Sequence, residues 1–113
     1  MIDWIELIPP VDYNKLDVTS KEHPIFIFKH STSCPLSKVA LLRLEDAFES
    51  APINKFYFLD LLRYRDESNH IAEKYHVHHE SPQLIVIDHG ECVLDLSHLD
   101  IEPSEILEYL RFS

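Results

Sequence analysis

The chain has 113 residues, 45% of them hydrophobic, so one domain spanning 1–113 with a real apolar core is expected. Twenty acidic residues against ten basic ones leave a net charge of −10, which argues against nucleic-acid and anionic-membrane partners, both held mainly by clustered Lys and Arg. A single glycine, Gly90, excludes the glycine-rich loops that close on nucleotide phosphates, and with them ATP and dinucleotide sites.

The start, Met1-Ile2-Asp3-Trp4-Ile5-Glu6, is acidic where a signal peptide needs a basic, then apolar, stretch. No apolar run approaches the ~20 residues of a membrane span. A cytoplasmic protein is expected, in a reducing compartment where two cysteines are reactive or simply buried rather than structurally paired.

Trp4 to Ile8 is a short apolar piece closed by Pro9-Pro10, and Val11 to Ser20 predicts a helix with Leu16 inward. Pro24-Ile25-Phe26-Ile27-Phe28-Lys29 is apolar on both faces, the pattern of a central strand covered from above and below. After His30-Ser31-Thr32-Ser33-Cys34, Pro35 suits a first helical position. Leu36, Val39, Ala40, Leu44, Ala47 and Phe48 then recur at helical spacing until Pro52. Lys55 to Leu59 predicts a second strand, and Asp66 to Tyr75 a helix burying Ile71, Ala72 and Tyr75.

Leu84 to Asp88 and Glu91 to Leu96 are joined only by His89-Gly90, which predicts an antiparallel hairpin with Gly90 at positive φ. A last helix starts at Pro103 and packs Ile106, Leu107 and Leu110. Two strand–helix units followed by a hairpin and a helix give an α/β, thioredoxin-like fold, a mixed central sheet with helices on both faces.

Cys34 stands between a buried strand and the first turn of a helix, where open backbone N–H groups and the positive end of the helix dipole favour an anion. A reactive thiolate is the expectation there, with Lys29, His30 and Lys38 close enough in sequence to add to the field. A buried structural thiol is the alternative, but the polar run Ser31-Thr32-Ser33 and Pro35 describe an exposed corner. Ser81-Pro82, just before the strand at Leu84, is a place for either a cis proline or an ordinary trans one. If cis, the residue before it leaves backbone groups free to pair with an extended thiol substrate.

His30-Ser31-Thr32-Ser33-Cys34-Pro35-Leu36-Ser37, Tyr64-Arg65 with Ser68-Asn69, His79-Glu80-Ser81-Pro82-Gln83 and Ser97-His98 together resemble the YtxJ family of monothiol bacilliredoxins, nearly end to end. The resemblance implies a thioredoxin fold, a nucleophilic Cys34, a cis Pro82 and removal of bacillithiol from oxidised protein thiols. Thr32, Pro35, Ser37, Ser81, Pro82, Arg65 and His98 are the candidate substrate contacts beside the catalytic Cys34. No cofactor is expected beyond a bacillithiol-like low-molecular-weight thiol as co-substrate, and S-thiolated client proteins are the expected partners.

Ser37 stands where thioredoxins carry a second cysteine, so resolution within a C-x-x-C motif is impossible and the mechanism is monothiol. Cys92, just past the hairpin turn, is expected at the far end of the sheet and inert. His98 should return beside Pro82, either to contact an anionic thiol or as an exposed loop residue. Arg65 has the same choice, between an anionic thiol and an ion pair with Asp66 or Glu67. His76, His78 and His79 lack a matching cysteine pair, and no metal site is expected. The other class of function open to Cys34 is ligation of an iron–sulfur cluster shared with a small thiol and a second subunit.

Overall fold

The structure, a computed structural model, describes residues 2–48 and 55–112. In chain order the elements are β1 (Ile5–Glu6), α1 (Tyr13–Glu22), β2 (Ile25–His30), α2 (Pro35–Ala47), β3 (Lys55–Asp60), α3 (Arg65–Tyr75), β4 (Gln83–Asp88), β5 (Glu91–Ser97) and α4 (Pro103–Phe112). A short 3-10 turn, His98–Asp100, links β5 to α4.

The five strands form one mixed sheet in the order β1-β3-β2-β4-β5. β1 and β3 are parallel, as are β3 and β2, whereas β4 runs antiparallel to both β2 and β5. All six residues of β2 are buried, which is what apolar side chains on both faces of a central strand require. The β2–β4 register pairs Ile25 with Ile87 and Lys29 with Gln83. The segment after β2, which carries Cys34, and the segment before β4, which carries Pro82, therefore leave the same end of the sheet.

Strand alternation splits the core in two. Phe26 and Phe28 pack with Ala40, Leu44, Phe48 and Ile106, from the helices on one face. Ile25 and Ile27 pack with Leu16, Ile71 and Tyr75 on the other. Each fully buried aliphatic or aromatic side chain contributes about 1.5–3 kcal/mol.

Several boundaries and faces differ from the sequence expectation. α1 begins at Tyr13 because Asp12 caps it, its Oδ1 accepting the Lys15 N–H at 3.1 Å. α2 buries Ser37, Ala40 and Leu44 and leaves Leu36 and Val39 outside. The small side chains of Ser37 and Ala40 let the helix close on β2, and that rotation turns the two larger residues to solvent. α3 buries Ser68 along with Ile71 and Tyr75, Ala72 being only half-buried. In α4, Ile106 is buried and Leu107 exposed; the Leu110 side chain and Pro52 lie outside the described residues.

The hairpin turn has both residues at positive φ, His89 at 52° and Gly90 at 76°, the twist that suits a two-residue connection. Its N–H groups are tied to α1, His89 to the Ser20 carbonyl at 3.1 Å and Gly90 to Ser20 Oγ at 2.8 Å.

Candidate active site

Cys34 is the N-cap of α2, in extended conformation at φ −104° and ψ 117°, with Pro35 at the first helical position. Its N–H donates to the Ser31 carbonyl at 3.2 Å, and its carbonyl accepts from Ser37 N–H at 3.1 Å and Lys38 N–H at 3.2 Å. Sγ makes no capping hydrogen bond. The expected group of open N–H donors is thus smaller than the sequence suggested, since Pro35 has none and those of Ser37 and Lys38 are satisfied. The thiol is half-buried and free, and Thr32 and Pro35 are exposed on either side of it.

Ser37 is fully buried. Its Oγ accepts the Ser31 N–H at 3.1 Å and shares a 2.6 Å hydrogen bond with His30 Nδ1. Ser37 therefore holds the corner from inside, a correction to its expected place among the substrate contacts. The His30 ring is 4% exposed and lies against Phe28 and Phe58, with centroids 5.6 and 5.2 Å away. Burial pushes its imidazole below the usual value of 6.5, against the opposing pull of Asp60. It is neutral at neutral pH. Lys29 is buried on the opposite face of the sheet, so neither it nor His30 adds a cation beside Cys34 as expected. Lys38 is the exposed cation of the three.

The facing loop holds Ser81 and Pro82, joined by a cis peptide bond. Pro82 is buried and Ser81 half-buried. His98, at φ 54°, donates its N–H to the Pro82 carbonyl at 3.0 Å, and its Nε2 sits 3.2 Å from Glu80 Oε2. That places His98 beside Pro82, paired with a carboxylate of the same loop. Arg65 opens α3 and is exposed. Burial first, then the charges of Lys29 and Arg65, push the His79 imidazole below its usual value, so Arg65 lies toward this loop. Glu67, one of its two candidate partners with Asp66, instead accepts a hydrogen bond from the Tyr13 hydroxyl.

Cys92 lies in β5 opposite Ile87, which pairs with Ile25 at the beginning of β2. Burial, helped by Asp95, pushes its thiol up. The six residues of β2, at ~3.3 Å each, put at least roughly 17 Å between the two ends of the sheet. A disulfide needs a Cα separation of roughly 4.4–6.8 Å. Both cysteines are free.

His76 ends α3 at φ 55°, the His78 carbonyl accepts from Gln83 Nε2 at 2.8 Å, and His79 Nδ1 bonds Ser68 Oγ at 3.1 Å. Among the described residues no group of three His, Cys, Asp or Glu is placed to hold a metal, and no helix is long and apolar enough to cross a membrane. The Ser37–His30 bond, the Glu80–His98 pair and the Ser68–His79 bond go beyond the sequence expectation. Alternation along β2 was the available signal for the first, since it puts His30 on the face that α2 covers.

The fold matches solved thioredoxin structures. A chain described as having a thioredoxin fold superposes with a TM-score of 0.78 at 30% identity, over 93% of this chain and 91% of that one. Thioredoxin from Schistosoma mansoni gives 0.71 at 20% identity over 98% of each chain. Spinach chloroplast thioredoxin f gives 0.71 at 14% identity over 96% of this chain and 91% of that one. A family model described as monothiol bacilliredoxin BrxC matches residues 5–106. With a half-buried free thiol capping α2 and a serine in place of a second one, the chain belongs to the monothiol bacilliredoxin family, thiol oxidoreductases of thioredoxin fold.

Proposed function

We propose that this protein removes bacillithiol, or a similar small thiol, from mixed disulfides on cytoplasmic client proteins. The observation that carries this reading is the isolation of Cys34: Ser37 is buried and bonded to His30, and Cys92 belongs to the other end of the sheet. A thiol with no internal partner cannot finish the reduction of a protein disulfide alone, but it can exchange with a small thiol.

In the first step the Cys34 thiolate attacks the small-thiol sulfur of the mixed disulfide. A new S–S bond forms as the old one breaks, and the electron pair leaves on the client sulfur, which takes a proton. In the second step the thiolate of another small-thiol molecule attacks the adduct. It releases the small thiol as its symmetric disulfide and returns Cys34 as thiolate. The Ser81 backbone pairs with the extended client strand, with Pro82 packed beside it. Thr32, Pro35, Arg65 and His98 border the small thiol, Arg65 supplying charge for an anionic one.

The test is incubation with a bacillithiol-modified protein, followed by mass spectrometry. Wild type is expected to release the modification and Cys34→Ser to retain it. Equal release by both sinks the assignment. Protein purified without oxygen is expected to be colourless; visible absorbance from a cluster would instead favour a cluster carrier.

A further inference from the structure

Lys29 is fully buried, and no step proposed above uses it. Its Nζ donates to the Ser68 carbonyl of α3 at 3.1 Å, its single acceptor among the described residues. Ser68 is also fully buried, and its hydroxyl bonds His79. Gln83, the cross-strand neighbour of Lys29, is fully buried, donates from Nε2 to the His78 carbonyl, and has an Oε1 with no hydrogen-bond partner among the described residues. Buried polar side chains from β2, α3 and β4 thus meet under residues 78–80, the stretch that runs into Ser81-Pro82. Among the described residues, the charged groups about this cluster are Arg65 of α3 and Glu80 of the loop, beside the titratable His79.

An ammonium buried without a carboxylate costs stability, and an apolar side chain of the same length would serve the core better. We propose that Lys29 is a positioning residue: through Ser68, and beside Gln83, it fixes residues 78–82 against the sheet so that a disulfide substrate meets Cys34 in one geometry. This role rests on thiol exchange at Cys34 as proposed above. Lys29 touches no reacting atom, and its effect lies in how well the substrate is held.

The test compares the full-length wild type with Lys29→Met and Lys29→Gln, the latter keeping a donor for the Ser68 carbonyl. KM and kcat are measured on a bacillithiol-modified protein, Cys34 alkylation is followed across pH, and backbone order parameters are read for residues 78–81. Lys29→Met is expected to raise KM about tenfold, leave kcat and the alkylation profile unchanged, and lower the loop order parameters below about 0.6. Lys29→Gln is expected to recover most of both losses, and it supplies the answer should Lys29→Met not fold. Wild-type KM and order parameters in a folded variant overturn the role, as does a loss confined to kcat. If the wild type itself turns over no mixed disulfide, the exchange reading fails, and the order parameters alone decide whether Lys29 holds the loop.

Discussion

Replacing Ser37 with alanine removes one oxygen and strands two buried groups, the Ser31 N–H at 3.1 Å and His30 Nδ1 at 2.6 Å. A buried group left without its partner costs about 1–3 kcal/mol, so the pair predicts a loss of roughly 2–6 kcal/mol. For a chain of 113 residues, about 4 °C per kcal/mol then lowers the melting temperature by roughly 8–24 °C. Urea unfolding followed by Trp4 fluorescence measures the loss, since Trp4 packs on Phe28, Phe56 and Phe58. His30→Phe keeps a ring among the aromatic residues and removes the nitrogen. In a double-mutant cycle the two substitutions together should cost about 1 kcal/mol less than their sum. A Ser37→Ala protein within about 0.5 kcal/mol of wild type, or strict additivity in the cycle, would refute the reasoning.

His30 also predicts a pH effect. Its folded value lies below 6.5, so the unfolded chain takes the proton first and stability is lost as pH falls from about 6.5 through the folded value; in His30→Phe the acid slope of the urea midpoint should flatten. Lys29 acts at the other end of the scale, pushed by burial from 10.5 to about 8. The unfolded chain holds that proton across the interval between them, so stability should rise with pH from about 8 to 10.5, by up to about 3 kcal/mol. Lys29→Met should be about 1–2 kcal/mol more stable at pH 7 and lose that rise, and a less stable variant at pH 7 would contradict the assigned burial cost. Gly90→Ala forces a side chain into φ 76°, while the nearest atom to its Cβ would be Asp17 Cγ at 3.6 Å, an ordinary contact; a loss of about 1 kcal/mol with unchanged exchange activity is expected from melting and turnover. Cys92→Ser should leave turnover at the wild-type rate, and a loss of exchange in a folded Cys92→Ser protein would restore that thiol to the mechanism.

The parts of the fold legible in the sequence are those fixed locally. β2 shows in its two-sided apolar run, the hairpin in the two residues between its strands, and α2 in Pro35 after a polar corner. The facing of α2 was not legible, because Leu36 and Val39 share the helical period with Ala40 and Leu44, and only contact with β2 decides which pair turns inward. The role of Ser37 depends on His30, a partner from another element. Lys29 is near Cys34 in sequence but not in space, because alternation along a strand sends adjacent residues to opposite faces. His98 was placed well because the hairpin register returns Ser97 beside Gln83.

The separation of the two sulfurs has a kinetic consequence. A strand-length spacer keeps Cys34 and Cys92 from meeting in the folded chain, so any disulfide at Cys34 is made with another molecule and undone by another molecule. Both events are second order. The lifetime of an adduct on Cys34 is then inversely proportional to the concentration of free thiol around it, and halving that concentration doubles the dwell time. Under the exchange proposed above, the fraction of chains carrying an adduct falls as free thiol rises relative to the disulfides that load Cys34.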